Sequence, residues 1–361
     1  MLTSADDFPI HQTPDPIAFP IGERNFYDRY FFNGYSPDAD SFFAAALGFY
    51  PQLGIVDGAF CVVRDGQQHN VRASRQTEVV DRMELSVGPL EVRVEKPLQR
   101  LAVQIDHDIV RASLDFDARC PAIAEPRFTR RIGGRLALDY TRLTQNGSWR
   151  GQIAVEGQTE DVEGFLGTRD RSWGIRPVGP AEASRSARVP QFFWLWTPFN
   201  FDDFGLLYHL NSDEHGRPWN ESGAVVPRLE SDGAPLSAVD LAWDQAESEV
   251  SLADGSRLLE SMTIRLRRGS EQRTVELEPG SPFFMSGLGY GHPEWGHGHA
   301  RGELDVGYDV IDIESSDPNH PLYRHVQVLS KARILETGET GQGVIEQLIL
   351  GDYGPLGLEG L

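Results

Sequence analysis

Cysteine is nearly absent from these 361 residues. Cys61 and Cys120 are the only two, and neither sits in a CxxC. Two isolated thiols build no disulfide framework, so they are expected to be buried and reduced in a cytoplasmic protein. Basic residues are also scarce, 33 against 54 acidic, for a net charge of −21. That field repels phosphate backbones and anionic membrane surfaces, which excludes nucleic acid as a partner. No run reaches the ~18 apolar residues of a membrane helix, so no membrane span is expected. The opening MLTSADDFPIHQTPDP has neither a basic n-region nor an apolar core, so no secretory signal is expected. Motifs of nucleotide and ester chemistry are missing too. There is no GxxxxGKS/T, no strand–GxGxxG–helix unit, no GxSxG and no HExxH. Nucleotide-dependent kinases, Rossmann dehydrogenases and α/β-hydrolases therefore drop out.

What the chain does have is period-two alternation, the signature of half-buried strands. LEVRVEK, RASLDFDAR, GRLALDYTRL, SEVSLADGS, SMTIRLRRG, RTVELEPG, GELDVGYDVIDIES and HVQVLSKARIL all carry it. Asp65-Gly66, Asn146-Gly147, Asp232-Gly233 and Asp254-Gly255 supply turn signals. DSFFAAALGFY is the one stretch with a helical reading, capped near Asp38 or Asp40. Strand–helix–strand alternation is missing, so the fold class is all-β, with two barrels or sandwiches in tandem. The proline-rich RPVGPAEASRSARVP, residues 176–190, reads as the break between residues 1–180 and 181–361.

Three stretches carry candidate chemistry. In GTRDRSWGIRPVG, Arg169, Arg171 and Arg176 crowd Asp170, and Trp173 offers a flat apolar face. In QFFWLWTPFNFDDFGLLYHLN, alternation sets Phe193, Leu195 and Thr197 against Phe192, Trp194 and Trp196. A strand apolar on both faces lies between layers or lines an apolar cavity. The third stretch, GLGYGHPEWGHGHARGELDVG, spans Gly287–Gly307. Its Gly291, His297, His299 and Glu303 follow the spacing of the first cupin metal motif, and two histidines with a carboxylate suit iron, manganese or zinc. Against that, DPNHPLYRHVQV holds His320 and His325 without the second motif's framework, and Val310 replaces an expected glycine. The same residues read without metal as a proton shuttle oriented by Glu303 or Asp305. They also read as a glycine-rich loop with solvent-facing histidines.

ERNFYDRYFFNGYSPDADSFFAAALGFYPQLGIVDGAFCVVRDG followed by these three stretches, in that order, resembles the bacterial relatives of the carotenoid 1,2-hydratase (hydroxyneurosporene synthase) superfamily, over about residues 23 to 310. The marker is Asp170–Gly174, similar to that family's Asp-His-x-Trp-Gly, with Arg171 in place of the histidine. The resemblance implies two lipocalin-like antiparallel β-barrel domains in tandem and an apolar pocket in or between them. It implies a cofactor-independent, metal-free hydratase, lyase or isomerase acting on the alkene of a hydrophobic isoprenoid-like or polyketide-like molecule. Asp170 and Asp305 are both candidates for the catalytic aspartate. His297 or His299 is the expected proton shuttle, with Asp170, Glu303 or Asp305 as acid or orienter. Arg169, Trp173, Arg176, Trp194, Trp196, His292 and Trp295 are expected to contact the substrate, tryptophan faces steadying a carbocation and arginines holding a polar head group. A non-catalytic lipocalin-like carrier and a cupin-like metal enzyme are the alternatives, and a homodimer is one allowed assembly.

Overall fold

A computed structural model of the chain describes residues 2–9, 22–77, 81, 83–132, 134–180, 191–229 and 241–360. Its strands are β1 (Phe26–Tyr35), β2 (Phe42–Tyr50), β3 (Ile55–Arg64), β4 (Gln67–Gln76), β5 (Ser86–Val87), β6 (Leu90–Lys96), β7 (Arg100–Asp106), β8 (Val110–Ala118), β9 (Ile123–Ala124), β10 (Phe128–Ile132), β11 (Arg135–Val155), β12 (Gln158–Asp161) and β13 (Phe165–Ile175). They continue as β14 (Phe192–Asn200), β15 (Phe204–Ser212), β16 (Pro218–Pro227), β17 (Gln245–Leu252), β18 (Leu259–Arg268), β19 (Glu271–Phe284), β20 (Leu304–Asp312), β21 (His325–Ile334) and β22 (Thr340–Leu350). The alternating segments of the sequence become strands, as expected.

The strands form two antiparallel sheets. The first runs β20-β4-β3-β2-β1-β13-β11-β8-β7-β6-β5, and the second β16-β15-β14-β22-β21-β19-β18-β17. One sheet curls to a half-barrel and the other closes nearly into a barrel, so the fold is all-β with two lipocalin-like domains. Sheet membership departs from chain order at one place. β20, from the second half of the chain, pairs with β4 at the edge of the first sheet. The expected break at 176–190 falls largely on 181–190, outside the described residues, as does Asp232-Gly233.

Period two decides what each strand buries. Tyr30, Phe32, Phe43, Phe60, Phe116 and Trp149 fill the first barrel. Phe193, Leu195, Leu206, Met262, Ile264 and Ile345 fill the second. The alternate residues, including Phe31, Ala44, Ala46, Trp194, Trp196 and Val344, pack between the sheets. Phe31 meets Trp196 edge-on at 6.1 Å, and Asn33 donates to Gln327 across the junction at 3.0 Å. Burying an aromatic side chain this way contributes about 1.5–3 kcal/mol.

Two local expectations are overturned. DSFFAAALGFY is strand β2, not a helix. Hydrogen bonding to β1 and β3 overrides alanine's helix propensity, and Ala44 and Ala46 let the second sheet approach closely. Asn146-Gly147 lies inside β11 instead of turning. A Cβ on Gly147 would sit 2.2 Å from the Phe116 ring, while Asn146 donates to the Phe199 carbonyl at 2.7 Å. Asp65-Gly66 does turn between β3 and β4, with φ of 51° and 75°.

Candidate active site between the sheets

The site is built by the odd residues of β1 and the even residues of β11 and β13, which face the second sheet. Asp170 on β13 lies in register with Phe31 on β1 and Thr144 on β11. From the opposite side come Trp194 and Trp196 of β14, His209 of β15, His325 and Gln327 of β21 and Glu346 of β22.

Two buried carboxylates anchor this layer. Glu125 takes Arg142 at 2.6 Å, Thr144 at 2.5 Å and the Trp196 indole N–H at 3.0 Å, with His209 Nδ1 at 3.6 Å. Burial pushes its carboxyl upward, but Arg142 and His209 outweigh that and hold it below the usual range. Glu346 takes the Trp194 indole N–H at 3.1 Å, His325 Nε2 at 2.9 Å and Gln327 at 2.7 Å. Burial again pushes upward, and these partners overcome it to bring the group to about 2. Arg142 lies 4.8 Å from the Trp194 ring centroid, 5.2 Å from Trp196 and 5.0 Å from Phe128. The two tryptophans therefore sheathe a resident guanidinium, which already occupies one side of their rings.

Asp170 is the exception among these acids. Its carboxyl has no hydrogen-bond or ion-pair partner among the described residues, yet it keeps partial exposure on a covered face of an interior strand. That face of β13 is turned to the second sheet. Tyr140, Arg176, Tyr290 and His297 keep partial exposure too. Burial lifts Asp170 to about 7; Arg142 and Arg29 pull it down, and Glu125 and Glu346 push it up.

His297 comes from the glycine-rich loop, and the charge of Arg29 acts on it as on Asp170. Its Nδ1 faces Arg176 Nη2 at 3.1 Å and its Nε2 faces the Leu288 carbonyl at 2.9 Å. Arginine only donates and a carbonyl only accepts, so Nε2 carries the proton and both nitrogens are committed. Burial, reinforced by Arg29 and Arg176, lowers its pKa well below the histidine range. The loop is pinned where Gly179 N donates to the His297 carbonyl at 2.7 Å and Gly298 N donates to Asp57 at 2.7 Å. Burial in turn lifts Asp57 to about 6, against the pull of that N–H and of Arg29.

The other sequence candidates do not converge here. Arg169 and Arg171 occupy the opposite face of β13, paired with Asp7 at 2.5 Å and with Asp28. Alternation, not charge attraction, decides this, and the arginines whose charges act on Asp170 are instead Arg142 and Arg29. Trp173 also lies on that far side, packed near Leu98 and Leu143. His299 and Trp295 line a separate void of about 10 Å³ with Arg72 and Arg301, room for about one water. His292 Nδ1 accepts backbone N–H groups from Glu294 and Trp295. Glu303 is exposed, and Asp305 pairs with Arg301 at 2.9 Å. The cupin-like reading is corrected by the same geometry. Residues 291–303 form turns, not a strand, so His297, His299 and Glu303 share no face. No metal-holding group of three such side chains occurs among the described residues. Sequence reasoning missed Arg29, Tyr290, Glu125, Arg142 and Glu346; their only local signal was an ionisable or phenolic side chain in an otherwise apolar strand or turn.

The fold is shared with known structures. It matches an AttH-like protein from Nitrosomonas europaea with TM-score 0.54 and 11% identity, covering 94% of this chain and 97% of that one. It matches kievitone hydratase from Nectria haematococca with TM-score 0.52 and 10% identity, covering 89% and 88%. It matches CghA, solved with Sch210972, with TM-score 0.50 and 10% identity, covering 95% and 96%. No curated protein matches the sequence. Among the described residues no helix is long and apolar enough to cross a membrane. The model of the family described as "Family of unknown function (DUF8625)" matches residues 2–359, and the chain belongs to that family.

Proposed function

We propose that the protein is a cofactor-independent enzyme of hydratase, lyase or isomerase type. Its substrate is a hydrophobic molecule with an alkene, and Asp170 is the proton donor. One observation carries the reading: Asp170 lies on the face of β13 turned to the aromatic-rich second sheet, without a hydrogen-bond or ion-pair partner among the described residues, and burial there pushes its carboxyl up to about 7. A protonated carboxyl at neutral pH is the acid that alkene protonation needs. The Asp170 O–H bond breaks as a C–H bond forms, leaving a carbocation and a carboxylate. Arg142 and Arg29, whose charges act on Asp170, stabilise that carboxylate. Water then adds to the cation, and its released proton returns to Asp170. Transfer of a neighbouring C–H proton to the Asp170 carboxylate instead, with the C–H pair forming the new C=C bond, restores the acid and completes an isomerisation. His297 positions Arg176 and carries no proton in this scheme. The fold likeness to kievitone hydratase and to CghA fits this class of reaction.

A lipocalin-like carrier would hold its ligand inside a barrel, and here both interiors are filled by side chains. An open cleft of about 1070 Å³ lies beside β6–β8, but Glu91, Arg93, Asp106 and Arg111 on it are partly or fully exposed. It holds no enclosed acid, so the smaller gap at Asp170 is the better site. The test is incubation with isoprenoid alkenes in D₂O, read by mass spectrometry. Carbon-bound deuterium or added water is expected with wild type and lost in Asp170→Asn. Equal product from both proteins would discard the assignment.

A further inference from the structure

Buried guanidinium groups in this molecule come with carboxylates. Five arginines are fully buried among the described residues: Arg29, Arg72, Arg142, Arg169 and Arg171. Arg72 pairs with Asp309 at 3.0 Å, Arg142 with Glu125 at 2.6 Å, Arg169 with Asp7 at 2.5 Å, and Arg171 with Asp28. Arg29, 2% exposed, has none. Its one hydrogen bond is from Nη1 to the Tyr290 hydroxyl, and its Nε and Nη2 are buried without an acceptor. Arg176, beside the same Tyr290 ring at 5.7 Å, also lacks a carboxylate partner among the described residues. It spends one nitrogen on neutral His297, stacks over Tyr27 at 4.2 Å, and leaves Nε buried without an acceptor.

Two enclosed cations with unspent donors are costly to fold, because desolvation is not repaid by a counter-ion. Asp57 and Asp170 are within electrostatic reach but not within ion-pairing distance. Asp57 already accepts from Gly298 N and the Tyr50 hydroxyl. Asp170 lies on the face of β13 turned to the second sheet. Burial lifts both acids, to about 6 and about 7, so neither is a firm counter-ion.

We propose that Arg29 and Arg176 form the anion-binding end of the gap, and that its ligand is a hydrophobic molecule bearing a carboxylate. This rests on the gap being the active site. The planar guanidinium forks match a carboxylate's two oxygens, whereas a neutral alcohol leaves the positive charge uncompensated. The carboxylate then becomes the counter-ion the fold omits, and the rest of the molecule extends along the gap towards Asp170.

Geranate and geraniol, an acid and an alcohol on one isoprenoid chain, are the probes, with binding read by calorimetry. Geranate is expected to bind at least about tenfold tighter than geraniol in wild type. The preference is expected to vanish in Arg29→Met and in Arg176→Met. A ligand-free measurement tests the same idea. The melting temperature of empty Arg29→Met is expected to equal or exceed that of wild type, while Arg142→Met, which orphans Glu125, melts lower. Equal affinity for the two probes, no geranate binding, or an Arg29→Met protein destabilised like Arg142→Met overturns the proposal. Asp170→Asn separates the two readings, since it keeps the acid preference if the anion site is real, whatever becomes of turnover. Turnover that depends on Asp170 with no acid preference would sink the anion site alone.

Discussion

Arg169 and Asp170 are adjacent in sequence and face opposite sides of β13. Arg169 is sealed in the first barrel against Asp7, with Nε bonded to Gln145 at 2.8 Å. Asp170 is turned to the second sheet, its carboxyl unpartnered among the described residues. One step along a strand thus separates a structural ion pair from a candidate acid.

Replacing Asp170 by asparagine should cost activity while helping stability. The folded pKa is raised, so the folded protein binds the proton more tightly than the unfolded chain. The penalty is absent below the unfolded aspartate value of ~3.9 and grows until pH passes about 7. Asp170→Asn should therefore be more stable than wild type at pH 8, by at most about 4 kcal/mol, and nearly equal at pH 4. Urea unfolding at the two pH values checks this; equal midpoints at pH 8 would count against the raised pKa.

The rate should fall as pH rises through about 7, because only protonated Asp170 donates. His297 should add no inflection between pH 6 and 8 (roughly its unperturbed range), being held neutral by burial and two arginines. His297→Gln should raise KM by loosening Arg176 and leave the inflection in kcat where it is. A pH–rate profile in which that substitution moves the inflection would return His297 to proton transfer.

Glu125→Gln removes the charge that compensates Arg142 in a dry layer. An uncompensated buried cation costs on the order of 3–5 kcal/mol. The urea midpoint should drop accordingly, and indole fluorescence should change because Trp196 bonds to Glu125. A drop below about 1 kcal/mol would show that water reaches Arg142.

Treatment with EDTA should leave turnover unchanged. His297 is bonded to Leu288 and Arg176, and Glu303 points to solvent. Loss of activity restored by iron, manganese or zinc would revive the cupin-like reading.

Much of the architecture was legible locally. LEVRVEK and SMTIRLRRG alternate because each strand has one covered face, and that pattern needs no tertiary information. The two-faced strand FFWLWTPFN was legible for the same reason, and its odd and even residues do enter different cores. The helix expected at DSFFAAALGFY failed because alanine's propensity is weak beside two flanking strands. The histidine cluster misled because proximity in sequence says nothing about direction inside a turn. His297 ends on Arg176 and the Leu288 carbonyl, whereas His299, two residues on, lines the small void with Arg72 and Arg301.

The sequence by itself determined an all-β chain and the face each residue of a regular strand would take. Those follow from period-two geometry, which is local. Which face became a dry barrel core and which a gap between sheets was decided only when the sheets packed. So were the pairings of Arg142 with Glu125 and of Arg171 with Asp28, and the absence of any such partner for Arg29 and Asp170 among the described residues. Burial and charge compensation are properties of the assembled layers, and they set the chemistry of each ionisable group.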